Sequence, residues 1–305
     1  MKWSILGNGV TGLCIAVELT KMGEKCEVIT SDITAASHWA GGMLAPYCET
    51  ESAPSYVTEQ GIKAISWWSS TIPLVHQNGT LVIAPARDIE ELNRFSKMTD
   101  QHTWVRPQDI ESDISDHFER GLFFSEEAHL DPRYALSQLR EFLVSKGVPF
   151  HQSKPSGTIV DCRGIAAQDS LSDLRAVRGE MLILETHDIH FSRPIRFLHP
   201  RFPCYLVPRD NGRFMLGATM LESNDHGKIS VRAVLELLTS TYVINPAFAE
   251  AKIIETGAGL RPSFPSNLPE IKFKNGKYFV NGMYRHGFLL APIIAQNFIA
   301  RLKAK

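Results

Sequence analysis

The spacing of apolar residues changes period several times along the chain, and each change marks an element. An apolar run at residues 3–6 ends in a glycine-rich turn, 7–12, then resumes at helical spacing over 13–22 before a second short run, 26–29. That order predicts strand, turn, helix and strand, a βαβ unit. A polar stretch of small residues follows over 30–42, the pattern loses its period past Met43, and a helix is expected at 57–70. Residues 81–84 and 121–125 read as strands flanking a helix at 89–98, which predicts a second sheet interrupting the first domain.

The first domain resumes near Asp131. Asp131-Pro132 offers an N-cap and a first-turn proline for a helix through Ser145, Gly147 stops it, and residues 148–151 continue as a strand. A short strand at 158–161 delivers the turn Cys162-Arg163-Gly164. Residues 181–185, 204–208 and 213–218 predict antiparallel strands, the last two joined by a hairpin at Asp210-Asn211-Gly212. A helix at 231–243, a strand at 253–256, a hairpin at Asn275-Gly276, a strand at 278–281 and a terminal helix after Pro292 complete the order.

Composition narrows the function classes more than the fold. The chain has 305 residues, with 32 Lys+Arg against 33 Asp+Glu and a formal charge of -1. No bulk field invites nucleic acid or an anionic membrane, so any anion must be held locally. The five cysteines, at 14, 26, 48, 162 and 204, are odd in number and widely spaced, unlike a disulfide framework or a zinc site, and fit a reducing cytoplasm. No run approaches the roughly 18 to 20 apolar residues of a spanning helix, and the glycine turn follows Met1 too closely for a secretory leader. A cytoplasmic protein without a transmembrane segment is expected.

The chemistry begins at Gly7-Asn8-Gly9-Val10-Thr11-Gly12. Gly7 allows the tight turn, Gly9 lets backbone approach a pyrophosphate, and Gly12 lets the helix pack on the strand. The helix N-terminus around Val10 then faces the phosphates. Directly after a strand, this pattern predicts a dinucleotide site. The acidic residue that would bind a ribose hydroxyl at the end of the second strand is missing, since Thr30 stands there. Asp32 is the substitute, read either as the ribose ligand or as a solvated turn residue.

Further along, the chain resembles a known family. Ala36-Ser37-His38-Trp39-Ala40-Gly41-Gly42-Met43-Leu44-Ala45-Pro46 is similar to the segment that passes the flavin ring in glycine oxidases, within the D-amino-acid oxidase family. Cys204-Tyr205-Leu206-Val207-Pro208-Arg209, Gly212-Arg213, Gly217-Ala218-Thr219-Met220, Gly259-Leu260-Arg261-Pro262 and Tyr284-Arg285-His286-Gly287-Phe288-Leu289-Leu290-Ala291-Pro292 resemble further motifs of that family in the same order. The resemblance implies an α/β protein with a Rossmann-type FAD-binding domain, residues 1–55, 131–178 and 255–305, interleaved with an antiparallel-sheet substrate domain, 56–130 and 179–254. It implies FAD as cofactor, and oxidation of glycine or a similar small amino acid to an imine that hydrolyses to a keto acid, with hydrogen peroxide formed from oxygen. It also implies a thiazole-synthesis partner in thiamine biosynthesis, and membership of a family that is often homo-oligomeric.

Residue by residue, the resemblance makes Arg261 the partner of the substrate carboxylate, through its guanidinium fork, and Tyr205 a hydroxyl donor to the same group. Arg285 lies against flavin and substrate, and Met220 shapes the pocket wall. Gly41, Gly42 and Met43 pass the flavin, while Gly164, His286, Gly287, Phe288 and Leu289 belong to the cofactor surface. The terminal helix then points its N-terminus at the flavin, where its dipole stabilises the negative charge that hydride brings. Taken singly, the same residues also read as an ion-paired arginine, a core tyrosine, a surface arginine and a core methionine. The chain is short between residues 148 and 164, where a compressed turn at 153–157 replaces the family's β-meander and exposes the adenine side. Arg163 is read there as a phosphate contact or as a solvated side chain. These departures keep two alternatives open: a dehydrogenase using another electron acceptor, and a non-catalytic flavoprotein-like binding or maturation partner.

Overall fold

Lys2–Leu6 is a central strand because its Trp3, Ser4 and Ile5 are all buried. The structure is a computed structural model that describes residues 2–304. It places this strand between Lys25–Ile29 and Thr158–Asp161, parallel to both. Phe150–His151 extends the sheet on one side and Lys277–Asn281 on the other, again parallel. The Asn275-Gly276 hairpin, with φ of 51° and 74°, adds Glu270–Lys274 as an antiparallel edge, giving six strands. Helix Val10–Lys21 starts earlier than its apolar period suggested, because extended Gly9 is its N-cap. Helix Pro132–Ser145 begins as expected, with the Asp131 carboxylate accepting from the N–H groups of Arg133 and Tyr134 at 2.7 and 3.1 Å.

The second sheet has nine strands. Arg175–Glu185 has Lys252–Ser263 on one side and Arg213–Gly217 with Leu221–Glu222 on the other. Cys204–Arg209, Ile195–Phe197, Thr80–Ile83, Gly121–Phe124 and Thr103–Val105 continue to the far edge. At the expected hairpin, Asn211 and Gly212 adopt φ of 61° and 68°, the two left-handed residues that a tight hairpin turn requires. Pairing is antiparallel except between Ile195–Phe197 and Thr80–Ile83, which are parallel. Parallel neighbours need a long crossover, and the chain supplies one by returning through the first sheet between them.

Two strands are longer than their apolar runs. The run at 181–185 is the end of Arg175–Glu185, whose charged first half hid its character. Arg178 and Glu180 are buried there and paired at 3.0 Å, and the Arg178 fork also donates to the carbonyls of Asp225, Gly227 and Lys228. A buried pair is tolerable only when its remaining donors are satisfied, and these bonds tie the 223–230 loop to the sheet. The strand expected at 253–256 spans Lys252–Ser263. Both strands run across the expected domain divisions at 178/179 and 254/255 while staying in the second sheet.

The terminal helix spans Gly287–Lys303, with Pro292 inside it. Pro292 has no N–H for the Phe288 carbonyl, a defect that costs a helix interior about 3 kcal/mol. The buried Trp68 indole N–H donates to that carbonyl instead, at 2.8 Å. The helix therefore begins six residues before the position that proline signalled. The compressed turn before Thr158–Asp161 is likewise anchored by a distant group, Glu27. Its buried carboxylate accepts from the Ser4 hydroxyl, the Ser156 N–H and the Ser156 hydroxyl at 2.6, 2.8 and 2.9 Å, with Lys2 Nζ at 2.9 Å. Burial alone would raise the Glu27 pKa, but these donors outweigh it and hold the group down at about 2.

Candidate active site

A cleft of about 1080 Å³ lies between the two sheets, beyond the usual range of about 300–1,000 Å³ for small-molecule sites. Its floor at one end is the first glycine turn. Gly7 has φ of 103°, and a Cβ there would lie 2.7 Å from the Cys162 carbonyl oxygen, so only glycine fits both the conformation and the space. A Cβ on Gly12 would lie 2.0 Å from the Gly7 carbonyl oxygen. Gly12 does not line the cleft; it is the packing glycine that seats the helix on the turn, while Gly7, Gly9 and Val10 line the cleft itself. The first-turn N–H groups lack intrahelical acceptors, and of these Val10 N–H is held by the Ser37 hydroxyl at 3.2 Å.

Asp32 stands where its solvated-turn reading put it. It is exposed, does not line the cleft, and accepts a bond from Gln152 at 2.8 Å. The strand end turns it outward, while Thr30 and Ser31 before it and Ile33 and Thr34 after it line the cleft. Arg163 is partly exposed at the cleft, but its charge is already taken. Its guanidinium forks onto Asp161 at 2.7 Å and Asp169 at 2.9 Å. Gly164, beside it, lines the cleft as well.

Gly41, Gly42 and Met43 line the middle. A Cβ on Gly41 would lie 2.6 Å from the Tyr205 ring, so its absence lets that ring rest on the backbone. Buried Arg209 fixes the same segment by donating to the Gly41 carbonyl at 2.6 Å. Trp39, which the motif contained without an assigned role, covers Gly257 and Gly259: a Cβ at Gly257 would lie 2.2 Å from its ring. The terminal helix then brings Gly287, Phe288 and Leu289 to the cleft wall, so a second helix N-terminus faces the cavity. A left-handed glycine cradle, two helix N-termini and a backbone channel bare of side chains fit the pyrophosphate and ring of FAD.

Arg261 and Tyr205 meet at the substrate end. Opposite Arg261 lies Gly179, where a Cβ would lie 2.1 Å from the guanidinium, so this glycine makes the room the arginine occupies. Arg261 Nη1 donates to the Thr219 carbonyl at 3.0 Å, and Tyr205 lines the same part of the cleft. No carboxylate among the described residues forms an ion pair with Arg261. Burial pushes its pKa below the ordinary arginine value, with Arg285 adding to the effect and Tyr205 opposing it. Met220 is 54% exposed at the mouth, where its sulfur lies 2.8 Å from the Tyr284 hydroxyl; it is a rim residue, not core.

Arg285, by contrast, is paired. Glu49 Oε2 lies 2.7 Å from its Nη2 and 3.5 Å from His286 Nδ1. Burial alone would raise the Glu49 pKa, but the Arg285 charge beside it, with that of Arg196, outweighs it and holds it below the ordinary glutamate value. Burial pushes His286 down to about 4, so its ring is neutral at pH 7. The motifs did not include Glu49; the only local signal was two acidic residues, Glu49 and Glu51, close behind the flavin segment.

The family pattern DAO, FAD dependent oxidoreductase, matches residues 2–301. A Rhizobium etli protein named as the thiamine biosynthesis oxidoreductase ThiO is 46% identical over 315 residues, covering 99% of this chain and 96% of that protein. A Synechocystis protein named bifunctional protein ThiO/ThiG is 24% identical over 331 residues, covering 95% of this chain and 50% of the longer protein. Among solved structures, glycine oxidase from Geobacillus kaustophilus shares the fold with a TM-score of 0.85 at 18% identity, over 99% of this chain and 94% of that one. With a pattern that spans nearly every residue and a cleft shaped for its cofactor, the chain belongs to the DAO family of FAD-dependent oxidoreductases.

Proposed function

We propose that this flavoenzyme oxidises glycine, or an amino acid of similar size, to the imine, which water converts to a keto acid and ammonia while oxygen becomes hydrogen peroxide. One observation carries the reading: Arg261, half-buried near Tyr205 in the FAD cleft, has no carboxylate of its own among the described residues. A desolvated guanidinium without a counter-ion is a receptor for an anion, and the α-carboxylate of an amino acid supplies one. FAD, when bound, supplies the electron acceptor for the hydride that leaves the α-carbon. The protein's part is orientation. Arg261 and Tyr205 grip the carboxylate, and the bare backbone at Gly41 and Gly42 leaves space for close approach of ring and substrate. The N–H groups of Gly287, Phe288 and Leu289 offer a positive dipole end where negative charge accumulates.

The product reading extends to thiamine biosynthesis, with the imine passed to a thiazole-forming partner. The ThiO/ThiG protein of Synechocystis, which by name joins two such functions in one chain, supports it. No helix among the described residues is long and apolar enough to cross a membrane, in keeping with action in the cytoplasm. The test is the visible spectrum of purified protein before and after anaerobic glycine. Flavin bands that bleach with glycine and return in air support the proposal. Bands that bleach but do not return in air point to another acceptor, and bands that glycine leaves unchanged refute the substrate.

A further inference from the structure

We propose that Glu49 is a specificity-determining residue of the cleft: it holds Arg285 and cancels its charge, so that Arg261 alone receives an anion and monocarboxylates are preferred over dianions. The inference rests on the carboxylate-binding reading of Arg261. Its ground is the pairing of the cleft's cations. Arg285 meets Glu49 at 2.7 Å, Arg196 meets Glu51 at 2.7 Å, and Arg163 meets Asp161 and Asp169. Arg201 and Arg232 lie exposed on the rim, where water screens them. Half-buried Arg261 is thus the one cleft-lining arginine away from the exposed rim that has no carboxylate partner among the described residues.

The loop that carries Glu49 is fixed on both sides. Before it, Cys48 N–H donates to buried Glu127 at 2.8 Å. After it, Glu51 is held by Arg196 at 2.7 Å and by Arg94 at 3.2 Å. The carboxylate is therefore presented to Arg285 by a backbone with little freedom to withdraw. Neutral His286 behind it, whose Nδ1 makes no hydrogen bond, adds no second positive charge to the pair. Removing the Glu49 charge would leave two cations in one partly desolvated cleft. Each already depresses the protonation of its neighbours, since Arg285 lowers the Arg261 pKa and Arg261 acts on His286.

The experiment titrates FAD-loaded wild type, Glu49→Gln and Glu49→Asp with acetate and with malonate at pH 8, following the perturbation of flavin absorption. In Glu49→Gln the ratio of the two dissociation constants should move toward malonate by about tenfold or more, as expected for one added charge at effective dielectric constants near 20. Glu49→Asp, which keeps the charge, should stay near wild type, and Glu49→Gln combined with Arg285→Met should return to the wild-type ratio. An unchanged ratio in Glu49→Gln overturns the proposal, as does a double variant that keeps the new preference. Should Glu49→Gln not retain FAD, Arg285→Met alone must shift the ratio the other way, toward acetate, and no shift overturns the proposal equally. Wild type that binds neither probe overturns the parent reading of Arg261, and this one with it.

Discussion

The bond between Trp68 and the Phe288 carbonyl can be weighed directly, because Pro292 explains why it exists. Trp68→Phe deletes the indole N–H and leaves a buried carbonyl with no donor, a loss of about 1–3 kcal/mol. The smaller ring adds about 1–2 kcal/mol of lost packing, since Trp68 is fully buried between Trp67 and Phe288 at centroid distances of 5.0 and 5.6 Å. Pro292→Ala restores a backbone N–H aimed at the same carbonyl. In wild type that N–H competes with the indole and gains little, whereas in Trp68→Phe it replaces the lost donor. The double variant should therefore be more stable than the sum of the single changes by about 1–2 kcal/mol. At about 2.1 cal/mol/K of unfolding entropy per residue, a chain this long shifts its melting temperature by about 1.5 °C per kcal/mol, so the coupling amounts to about 1.5–3 °C. Calorimetry on the four proteins at one fixed excess of FAD reads it, with cofactor held constant because bound ligand moves the midpoint. Additivity within about 0.5 kcal/mol would refute the claim that the indole substitutes for the missing proline donor.

Arg261→Ala should raise the apparent substrate constant for glycine by about a hundredfold, the loss of a charge-assisted bidentate contact of about 3 kcal/mol, with flavin content intact; unchanged steady-state kinetics would remove its role. Gly9→Leu should abolish FAD retention while circular dichroism stays native, because Gly9 lines the cleft and its Cβ would lie 3.3 Å from the Ser37 hydroxyl that holds the Val10 N–H, whereas Gly12→Ala, with its Cβ 2.0 Å from the Gly7 carbonyl oxygen, should disturb the fold itself. Glu127 is fully buried, and burial pushes its carboxyl up to about 7. Between about pH 4.5 and 7 the folded state keeps a proton that the unfolded state has released, so this group's contribution to stability falls as pH rises through that window. Glu127→Gln should escape the loss, on the order of 3 kcal/mol by pH 8, and its melting temperature relative to wild type should rise by about 4 °C between pH 5 and pH 8. A difference that does not vary with pH contradicts the raised carboxyl.

Interactions between near neighbours in the chain were legible before any coordinates. The glycine fingerprint, the Asp131 cap and both Asn-Gly hairpins depend on backbone conformations that a few adjacent residues dictate, and each stands where its residues placed it. The order of motifs carrying Arg261, Tyr205 and Arg285 was readable for a related reason, since each is held by local turn and strand chemistry. What failed were rules that assume local context. Proline stops a helix unless something else serves the orphaned carbonyl, and here the donor lies 220 residues away in the chain. Charged residues mark a surface unless they are paired in the interior, and Arg178 with Glu180 draws its remaining partners from a loop some 50 residues on.

The candidate site divides the same way. The sequence by itself determined the cofactor fold and named the arginines, because glycine turns and motif order are properties of the linear chain. Only the tertiary structure decided that Asp32 turns toward Gln152 and that Glu49 takes Arg285 while no carboxylate among the described residues pairs with Arg261. Which of two similar cations is neutralised depends on Coulomb energy over a few ångströms in a partly desolvated cleft, and those distances exist only once both sheets have closed around it.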